Sequence, residues 1–272
     1  MDKYTPIANL LRNLSKTLLK PPIVLLISGS FNPVHIKHFQ ILKTATQAIK
    51  EDYEVIACYI SPFSQKHVDK TYQQGAIPLQ QRIDMIKIAI KEFSEESSNE
   101  SSSWIDMIDI SEWDANLEDD IDCHLLIKTF SEFLNNNNQI KPLLSEKNLN
   151  KLEIAYICGS DLITKDKKEQ IKNLQDLEDI KIIICERYLE EKDKDWEGQC
   201  KELGKLYTEK WIENNIILIK QDTENTSNQD KNNIKISSTK IINSLIKNEN
   251  NWEEMTFLGV TKYIKDKNIL KS

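Results

Sequence analysis

Six apolar runs of strand length recur along the 272-residue chain: Ile23 to Ile27, Val55 to Ile60, Trp104 to Ile110, Leu152 to Cys158, Ile180 to Cys185 and Ile216 to Ile219. Helical patterns fill most of the gaps between them. Strands that alternate with helices are joined by crossovers and run parallel, so the order predicts an α/β fold, a Rossmann-like doubly wound parallel sheet with helices on both sides. The spacing of apolar residues predicts helices over Phe39 to Ile49, Leu79 to Phe93 and Ile121 to Leu134, and leaves the polar stretch from Tyr188 to Asn214 unassigned. Ser94 to Ser103 and Gln221 to Asn233 read as solvated loops, and the run Asn135 to Asn138 ends a helix. At the amino end, Ile7, Leu10, Leu11, Leu14, Leu18 and Leu19 repeat at helical spacing, which predicts a helical extension packed on the main domain.

The first run leads into Gly29-Ser30-Phe31-Asn32-Pro33-Val34-His35-Ile36-Lys37-His38 and then into the helical pattern from Phe39. Strand, tight turn and helix, in that order, are how an α/β protein makes a phosphate site. A glycine at the strand's carboxyl end lets the backbone come close to a ligand. Pro33 stiffens the approach to a helix whose N-H groups and dipole favour anions. If the helix has begun by His35, then His35 and His38 share one face above the turn, where both can donate to phosphate oxygens. A zinc pair is disfavoured, because no third His, Cys or Asp stands at a metal-ligand spacing.

The chain carries 36 Lys and Arg against 43 Asp and Glu, a net charge of -7. A general nucleic-acid binder usually shows the opposite balance, whereas a mononucleotide needs only a local positive pocket. No apolar stretch approaches the ~20 residues of a membrane span, and Met1 to Pro22 carries polar and charged residues throughout, so a soluble, intracellular protein is expected. The five cysteines, Cys58, Cys123, Cys158, Cys185 and Cys200, are odd in number and include no Cys-x-x-Cys pair. They read as reduced thiols, three of them in strand runs, which implies a cytosolic or nuclear compartment.

The turn from Gly29 to His38 resembles the Gly-x-Phe-x-Pro-x-His-x-x-His signature of the nucleotidylyltransferase superfamily. Further blocks narrow the resemblance: Ile60-Ser61-Pro62 with Asp69, Tyr72, Gly75, Ile77-Pro78 and Arg82, then Cys158-Gly159-Ser160-Asp161-Leu162, and last Ile236-Ser237-Ser238-Thr239-Lys240-Ile241. In type and order they are similar to the eukaryotic nicotinamide/nicotinate mononucleotide adenylyltransferases. The resemblance implies a nucleotidylyltransferase domain over 22–272 behind the 1–21 extension, with a small helical portion from about Ser237 to Leu270 closing over the triphosphate. It implies ATP and nicotinamide or nicotinate mononucleotide as substrates and NAD or deamido-NAD plus pyrophosphate as products. Nucleic acid and membrane are not expected as partners, and assembly into homo-oligomers is left open.

Adenylyl transfer of this kind needs no activated nucleophile, because the attacking phosphate oxygen is already ionised near neutral pH; catalysis becomes positioning and electrostatics. On that reading His38, His35 and Lys240 carry the catalysis, His38 foremost. Gly29, Ser30 and Phe31 present backbone N-H groups. Ser237, Ser238 and Thr239 cap a helix over Ile241 to Lys247 and make a second anion site. Gly159 and Asp161 follow the fourth strand at the ligand-binding edge, with Asp161 placed for ribose hydroxyls. Trp113 offers a flat π-face to a cationic pyridine ring, Trp104 reads as core, and Arg187 resembles the family arginine near the pyridine nucleotide phosphate. Magnesium is expected mainly on the ATP phosphates.

Three positions depart from the family pattern. Gln73 and Gln74 stand where lysines are usual, leaving Lys66 or Lys70 as substitutes; Ile242 replaces an arginine; and no second tryptophan lies between Thr164 and Leu174. Competing readings are a nucleotidylyltransferase acting on phosphopantetheine or glycerol phosphate, and a non-catalytic nucleotide-binding or chaperone descendant, since fold does not fix function.

Overall fold

The six strands form one all-parallel sheet: β1 (Pro22–Gly29), β2 (Glu54–Pro62), β3 (Ile108–Ile110), β4 (Glu153–Gly159), β5 (Ile180–Cys185) and β6 (Ile216–Ile219), in the order β3-β2-β1-β4-β5-β6. They come from a computed structural model that describes residues 1–96, 105–163, 174–177, 180–186, 196–220 and 236–270. The order reverses between β1 and β4. At such a switch point the connections leave in opposite directions, and the carboxyl ends of the two strands open a crevice for ligands.

Alternate residues of each inner strand feed two cores. Ile23, Leu25 and Ile27 of β1 join one, and Val24 and Leu26 join the other. The first core is closed by α2 (Ile36–Ile49), α4 (Leu79–Glu96), α9 (Ser238–Ile246) and α10 (Leu258–Asp266), which contribute Phe39, Ile86, Ile241 and Val260 among others. The second is closed by α1 (Ala8–Leu14), α5 (Cys123–Asn136), α6 (Ile140–Glu146) and α7 (Trp196–Leu206), through Leu10, Phe130, Leu144 and Leu203. The sheet is thus covered on both faces, the Rossmann-like arrangement that alternation predicted. Two further helices, α3 (Gln65–Tyr72) and α8 (Glu209–Asn215), complete the described set.

Several boundaries differ from the sequence reading, each for a physical reason. The third apolar run yields only Ile108–Ile110 as strand, preceded by a 3-10 turn at Ile105–Met107; Trp104 lies outside the described residues, as do 97–103 and 221–233 of the two loops. The helix expected from Phe39 begins at Ile36, and the one expected from Ile241 begins at Ser238, because capping residues, not apolar ones, set the first turn. Helix α3 buries only Val68, so it has no apolar period to detect; its start is fixed by Ser64 Oγ accepting from His67 N-H at 3.1 Å. The amino-terminal helix stops at Leu14, where Ser15 Oγ donates to Arg12 O at 2.8 Å and competes with the helical pattern; Leu19 is 90% exposed.

That amino-terminal segment is tied into the body. Leu10 and Leu14 are fully buried, Asn13 Nδ2 donates to Ile56 O at 3.0 Å, and Tyr59 Oη donates to Pro6 O at 2.8 Å. The residues from Ser238 onward likewise pack as a layer of the first core, with Ile241, Ile242, Phe257, Val260 and Ile264 buried. All five cysteines are free thiols; Cys58, Cys158 and Cys185 are buried on strands, and burial raises the Cys58 and Cys185 thiols above their ordinary pKa. No helix among the described residues is long and apolar enough to cross a membrane.

Candidate active site

The chain leaves β1 through a turn whose carbonyl groups are held from behind. Gly29 O accepts from Phe63 N-H at 2.9 Å, Ser30 O from Arg82 Nη1 at 2.8 Å, Pro33 O from Ser238 Oγ at 3.0 Å and Val34 O from Thr256 Oγ1 at 2.8 Å. Asn32 is fully buried and clasps the following segment, donating through Nδ2 to Gly75 O at 2.9 Å and accepting at Oδ1 from Ile77 N-H at 2.8 Å. Acceptors committed in this way do not repel an incoming anion, and the turn is fixed before any ligand arrives.

The conformational joint of this turn is not where a glycine suggests. Gly29 has no positive φ, and a Cβ placed on it would meet only the Phe31 ring, at an ordinary 3.6 Å. The left-handed residue is Phe31, φ 42, held there by a ring that is 1% exposed in the first core. Gly29 and Ser30 therefore enter the site as positioned backbone, and Phe31 as the residue that bends it.

His35 caps α2 with an extended backbone. Its N-H donates to His38 Nδ1 at 3.1 Å, while His38 N-H returns to His35 O at 3.0 Å. With Nδ1 accepting, a neutral His38 carries its proton on Nε2, so the ring presents an N-H donor on its far side. The two imidazoles share a face, as their spacing implied, but unequally. His35 is 1% exposed and stacks beneath His38 with centroids 3.6 Å apart and planes at 15°, and the edge of Phe31 supports His38 at 4.7 Å. His38 is half-buried and His35 lies buried beneath it, an order that agrees in direction with the expectation that put His38 foremost.

The Pro33 to Ser238 bond brings the N-terminus of α9 to the turn that opens α2, so two helix N-termini converge. Ser237 is the cap of α9, its Oγ accepting from Lys240 N-H at 3.3 Å. Ser238 is buried, and its hydroxyl, expected at a phosphate, donates here to Pro33 O. Thr239 is exposed and Lys240 half-buried. Ile242, where the family pattern has a cation, is a core residue: a Cβ on Gly75 would come within 2.5 Å of its Cγ2. Lys66, weighed as a substitute cation, makes an exposed pair with Asp119 at 2.7 Å.

Across the switch point, Gly159 ends β4, and Asp161 follows in a 3-10 turn, Ser160–Ile163; the Asp161 side chain and all of Arg187 lie outside the described residues. Trp113 follows β3, just beyond Ser111, whose N-H continues the ladder to Ile60 O at 2.9 Å. It caps the 3-10 turn Asp114–Asn116 and packs half-buried on the second core. The N-termini of α2 and α9 and the Trp113 ring thus sit over opposite faces of the same sheet edge.

Sequence reasoning gave no role to four contributors, two of which, Asn32 and Arg82, stood inside the quoted motif blocks. Arg82 is fully buried and spends three groups on three carbonyls: Nε on Ile77 at 3.2 Å, Nη1 on Ser30 at 2.8 Å and Nη2 on Phe63 at 3.0 Å. Burial lowers its pKa to about 10, so it stays charged at neutral pH. Asn32 and Thr256 hold the turn as described. Asp114 is 3% exposed, and burial, with the Asp120 charge adding and Arg82 opposing, raises its pKa to about 7. For Arg82 and Asn32 that place in the motif blocks was the available signal; nothing local marked Thr256 or Asp114.

Comparison with known proteins places residues 26–244 in the cytidylyltransferase-like family. Two curated relatives carry related names. The nicotinamide/nicotinic acid mononucleotide adenylyltransferase 1 of Saccharomyces cerevisiae is 36% identical over 101 residues, 35% of this chain and 22% of the relative. The nicotinamide/nicotinic acid mononucleotide adenylyltransferase of Schizosaccharomyces pombe is 27% identical over 146 residues, 53% of this chain and 35% of the relative. The matched segments therefore span about a fifth to a third of those relatives' length. A solved structure of glucose-6-phosphate dehydrogenase with its substrate glucose-6-phosphate aligns at a TM-score of 0.33 and 12% identity, covering 75% of this chain and 37% of that one, a likeness too low to carry argument. The family match spans most of the chain and includes both the histidine turn and the start of α9: this protein belongs to the cytidylyltransferase-like family.

Proposed function

We propose that this protein transfers the adenylyl group of ATP to nicotinamide or nicotinate mononucleotide, giving NAD or deamido-NAD and pyrophosphate. The observation that carries the reading is the turn from Gly29 to His38: its carbonyls are tied off, its helix N-terminus meets that of α9, and His38 is held with Nε2 as the donor. Such a constellation suits a polyphosphate. The names of the two yeast relatives support the acceptor, and Trp113 on the opposite face supplies a flat wall for a pyridine ring.

On this reading an ionised phosphate oxygen of the mononucleotide attacks the α-phosphorus of ATP. The bond from that phosphorus to the bridging oxygen breaks, and pyrophosphate leaves with the electron pair. His38 Nε2-H and the N-termini of α2 and α9 meet the charge that grows on the leaving group, and Lys240, on the first turn of α9, is the nearby cation. No side chain has to act as nucleophile.

Magnesium belongs to the proposal as ATP's companion. The groups gathered at the turn are N-H donors, which suit phosphate oxygens and not a hard cation, and among the described residues no three His, Cys, Asp or Glu side chains form a metal cage. The ion would be held by the β and γ phosphates, where it neutralises charge.

The test is product formation by the purified protein from ATP and magnesium with each mononucleotide in turn. NAD or deamido-NAD with stoichiometric pyrophosphate is the expected result. Folded protein that forms neither dinucleotide, while adenylylating phosphopantetheine from ATP or cytidylylating glycerol phosphate from added CTP, would replace the acceptor; inertness toward all of them would refute the reaction.

A further inference from the structure

We infer that the amino-terminal strap, Tyr4 to Pro6, positions Trp113: through the Thr5 hydroxyl and the Tyr4 carbonyl it fixes the two residues that carry the ring, and so sets how tightly the acceptor is held. The part played by the acceptor rests on the proposed reaction; the placement of Trp113 does not.

The edge strand β3 is three residues long, and its chain runs on as Ser111, Glu112 and Trp113 into the 3-10 turn Asp114–Asn116. Ser111 N-H still faces β2, donating to Ile60 O at 2.9 Å. Glu112 N-H turns the other way, as the next residue of a strand does, and the acceptor it meets is Tyr4 O at 2.8 Å. Beside that bond, Thr5 Oγ1 and Ser111 Oγ lie 2.8 Å apart, with Thr5 2% and Ser111 1% exposed. The following residues continue the attachment. Pro6 O accepts from Tyr59 Oη of β2 at 2.8 Å, and Asn9 Nδ2 donates to Asp109 Oδ2 of β3 at 3.0 Å.

Glu112 is the junction between strap and turn. Its N-H is held by Tyr4. Its O accepts from Asn116 Nδ2 at 2.7 Å and from Asn116 N-H at 3.2 Å, and its carboxylate lies 3.7 Å from Lys87 Nζ of α4. The peptide that joins Glu112 to Trp113 is therefore fixed from both ends, and Trp113 opens the turn at φ -65, ψ -53. An indole amplifies any rotation of the backbone it hangs from, so a loosened Glu112 displaces the ring face.

Hydrogen bonds, more than packing, hold the strap at this point. The apolar anchors of the amino-terminal segment, Leu10 and Leu14, lie further along on α1. Between the strap and α4, on the outer side of β3, the described residues leave a groove of about 430 Å³ whose walls include Tyr4, Pro6, Ile90, Ile108 and Glu112. A strap backed by a groove keeps its register through its directional bonds. Of these, the Thr5 to Ser111 bond is buried at both ends, where a hydroxyl left without its partner is most costly. Its loss is felt two residues before Trp113. The N-termini of α2 and α9 lie over the other face of the sheet, so the disturbance reaches the acceptor side and spares the proposed ATP contacts.

The experiment compares Thr5→Val, which keeps the shape and removes the hydroxyl, with Thr5→Ser, which keeps the hydroxyl, and with Ser111→Ala, which removes the same bond from the other side. In Thr5→Val and Ser111→Ala the KM for the mononucleotide should rise ~threefold to tenfold while that for ATP stays within ~twofold, and Thr5→Ser should stay within ~twofold for both. In a Trp113→Ala background Thr5→Val should have no further effect, since both changes act through one ring. Asn135→Ala is the stability control. It takes the acceptor from Leu152 N-H, bonded at 2.7 Å by the amino end of β4, and should lower the unfolding midpoint without moving either KM. In protein labelled with fluorotryptophan, the fluorine resonance that disappears in Trp113→Phe should shift in Thr5→Val and hold still in Asn135→Ala.

Equal rises in the two KM values, a Thr5→Val effect that survives in the Trp113→Ala background, or a Trp113 resonance that does not move each overturn the inference. Should Thr5→Val fail to fold, Ser111→Ala reads the same bond. If neither mononucleotide reacts and the resonance still shifts, the proposed reaction fails and the placement of Trp113 by the strap stands; if both react and no KM moves, the strap fails and the reaction stands.

Discussion

Arg82→Met removes the three donors that hold Ser30 O, Phe63 O and Ile77 O while keeping most of the side-chain volume. A hydrogen bond from a charged donor is worth roughly 1.5–3 kcal/mol, so three represent about 5–9 kcal/mol gross. Against this, burial costs the guanidinium enough to draw its pKa from 12.5 to about 10, and removing the charge returns roughly 3 kcal/mol of that. Apolar burial of the Met side chain offsets a further ~1 kcal/mol. A net loss of roughly 1–5 kcal/mol follows. Urea unfolding followed by circular dichroism reads it, and Arg82→Lys, able to serve one carbonyl at a time, should fall between the two. Turnover should drop at least ~tenfold in the folded Met variant, because Ser30 lies in the turn proposed to hold the phosphates. The sign of any pH effect is also fixed. A base whose folded pKa remains near 10 stays protonated in folded and unfolded chains through pH 9, so the stability difference between protein and variant should be flat from pH 6 to 9. A Met variant within ~1 kcal/mol of the unmutated protein and with unchanged turnover would refute the account of Arg82 as the clamp of the turn.

Other substitutions probe the same frame. His38→Ala should lower turnover ~10²–10³-fold while costing only about 1 kcal/mol in unfolding free energy, the latter from the His35 N-H it leaves without its acceptor; equal turnover in a folded variant would remove His38 from the chemistry. Gly75→Ala should destabilise by ~1–3 kcal/mol, because the new methyl meets Ile242 Cγ2 at 2.5 Å, and combining it with Ile242→Val should cost less than the sum of the two changes measured separately. Ser238→Ala and Thr256→Ala each strand one buried carbonyl of the turn, at about 1–3 kcal/mol by thermal or urea unfolding, and should raise the KM for ATP more than that for the mononucleotide; the reverse order would place ATP on the other face.

The fold was legible because periodicity survives in one sequence. All six strand runs were found, with β5 and β6 matching end to end, since Ile216–Ile219 is an unbroken apolar run and Ile180–Cys185 is broken only by Lys181, both bounded by polar residues. Elements with one buried residue were not legible, as α3 with Val68 illustrates. The same division runs through the site. Residues that act from a contiguous string, Gly29 to His38 and Ser237 to Lys240, declare themselves by order. Their supports are brought in by tertiary structure: Thr256 reaches Val34 across 222 positions and Ser238 reaches Pro33 across 205. Even inside the string, type did not fix role. His35 and His38 are the same residue type three positions apart, and only the structure, through burial, stacking and the direction of the His35 N-H to Nδ1 bond, shows how differently they are placed.

The uncharged residue at position 242 illustrates how core packing and ligand binding compete for one place on a helix. Ile242 and Gly75 form a matched pair, a branched side chain against a residue with none, and Gly75 O is in turn held by Asn32 inside the phosphate turn. A long cation at 242 would have to leave the space over Gly75 to reach a phosphate, exposing the segment that fixes Asn32. With an isoleucine there, the segment is packed shut and the turn behind it is more firmly held. What the site gives up in full charge it recovers as preorganised dipoles: two helix N-termini, the His38 N-H and carbonyls that are already occupied. In the proposed reaction such donors need no rearrangement as charge shifts toward the leaving pyrophosphate.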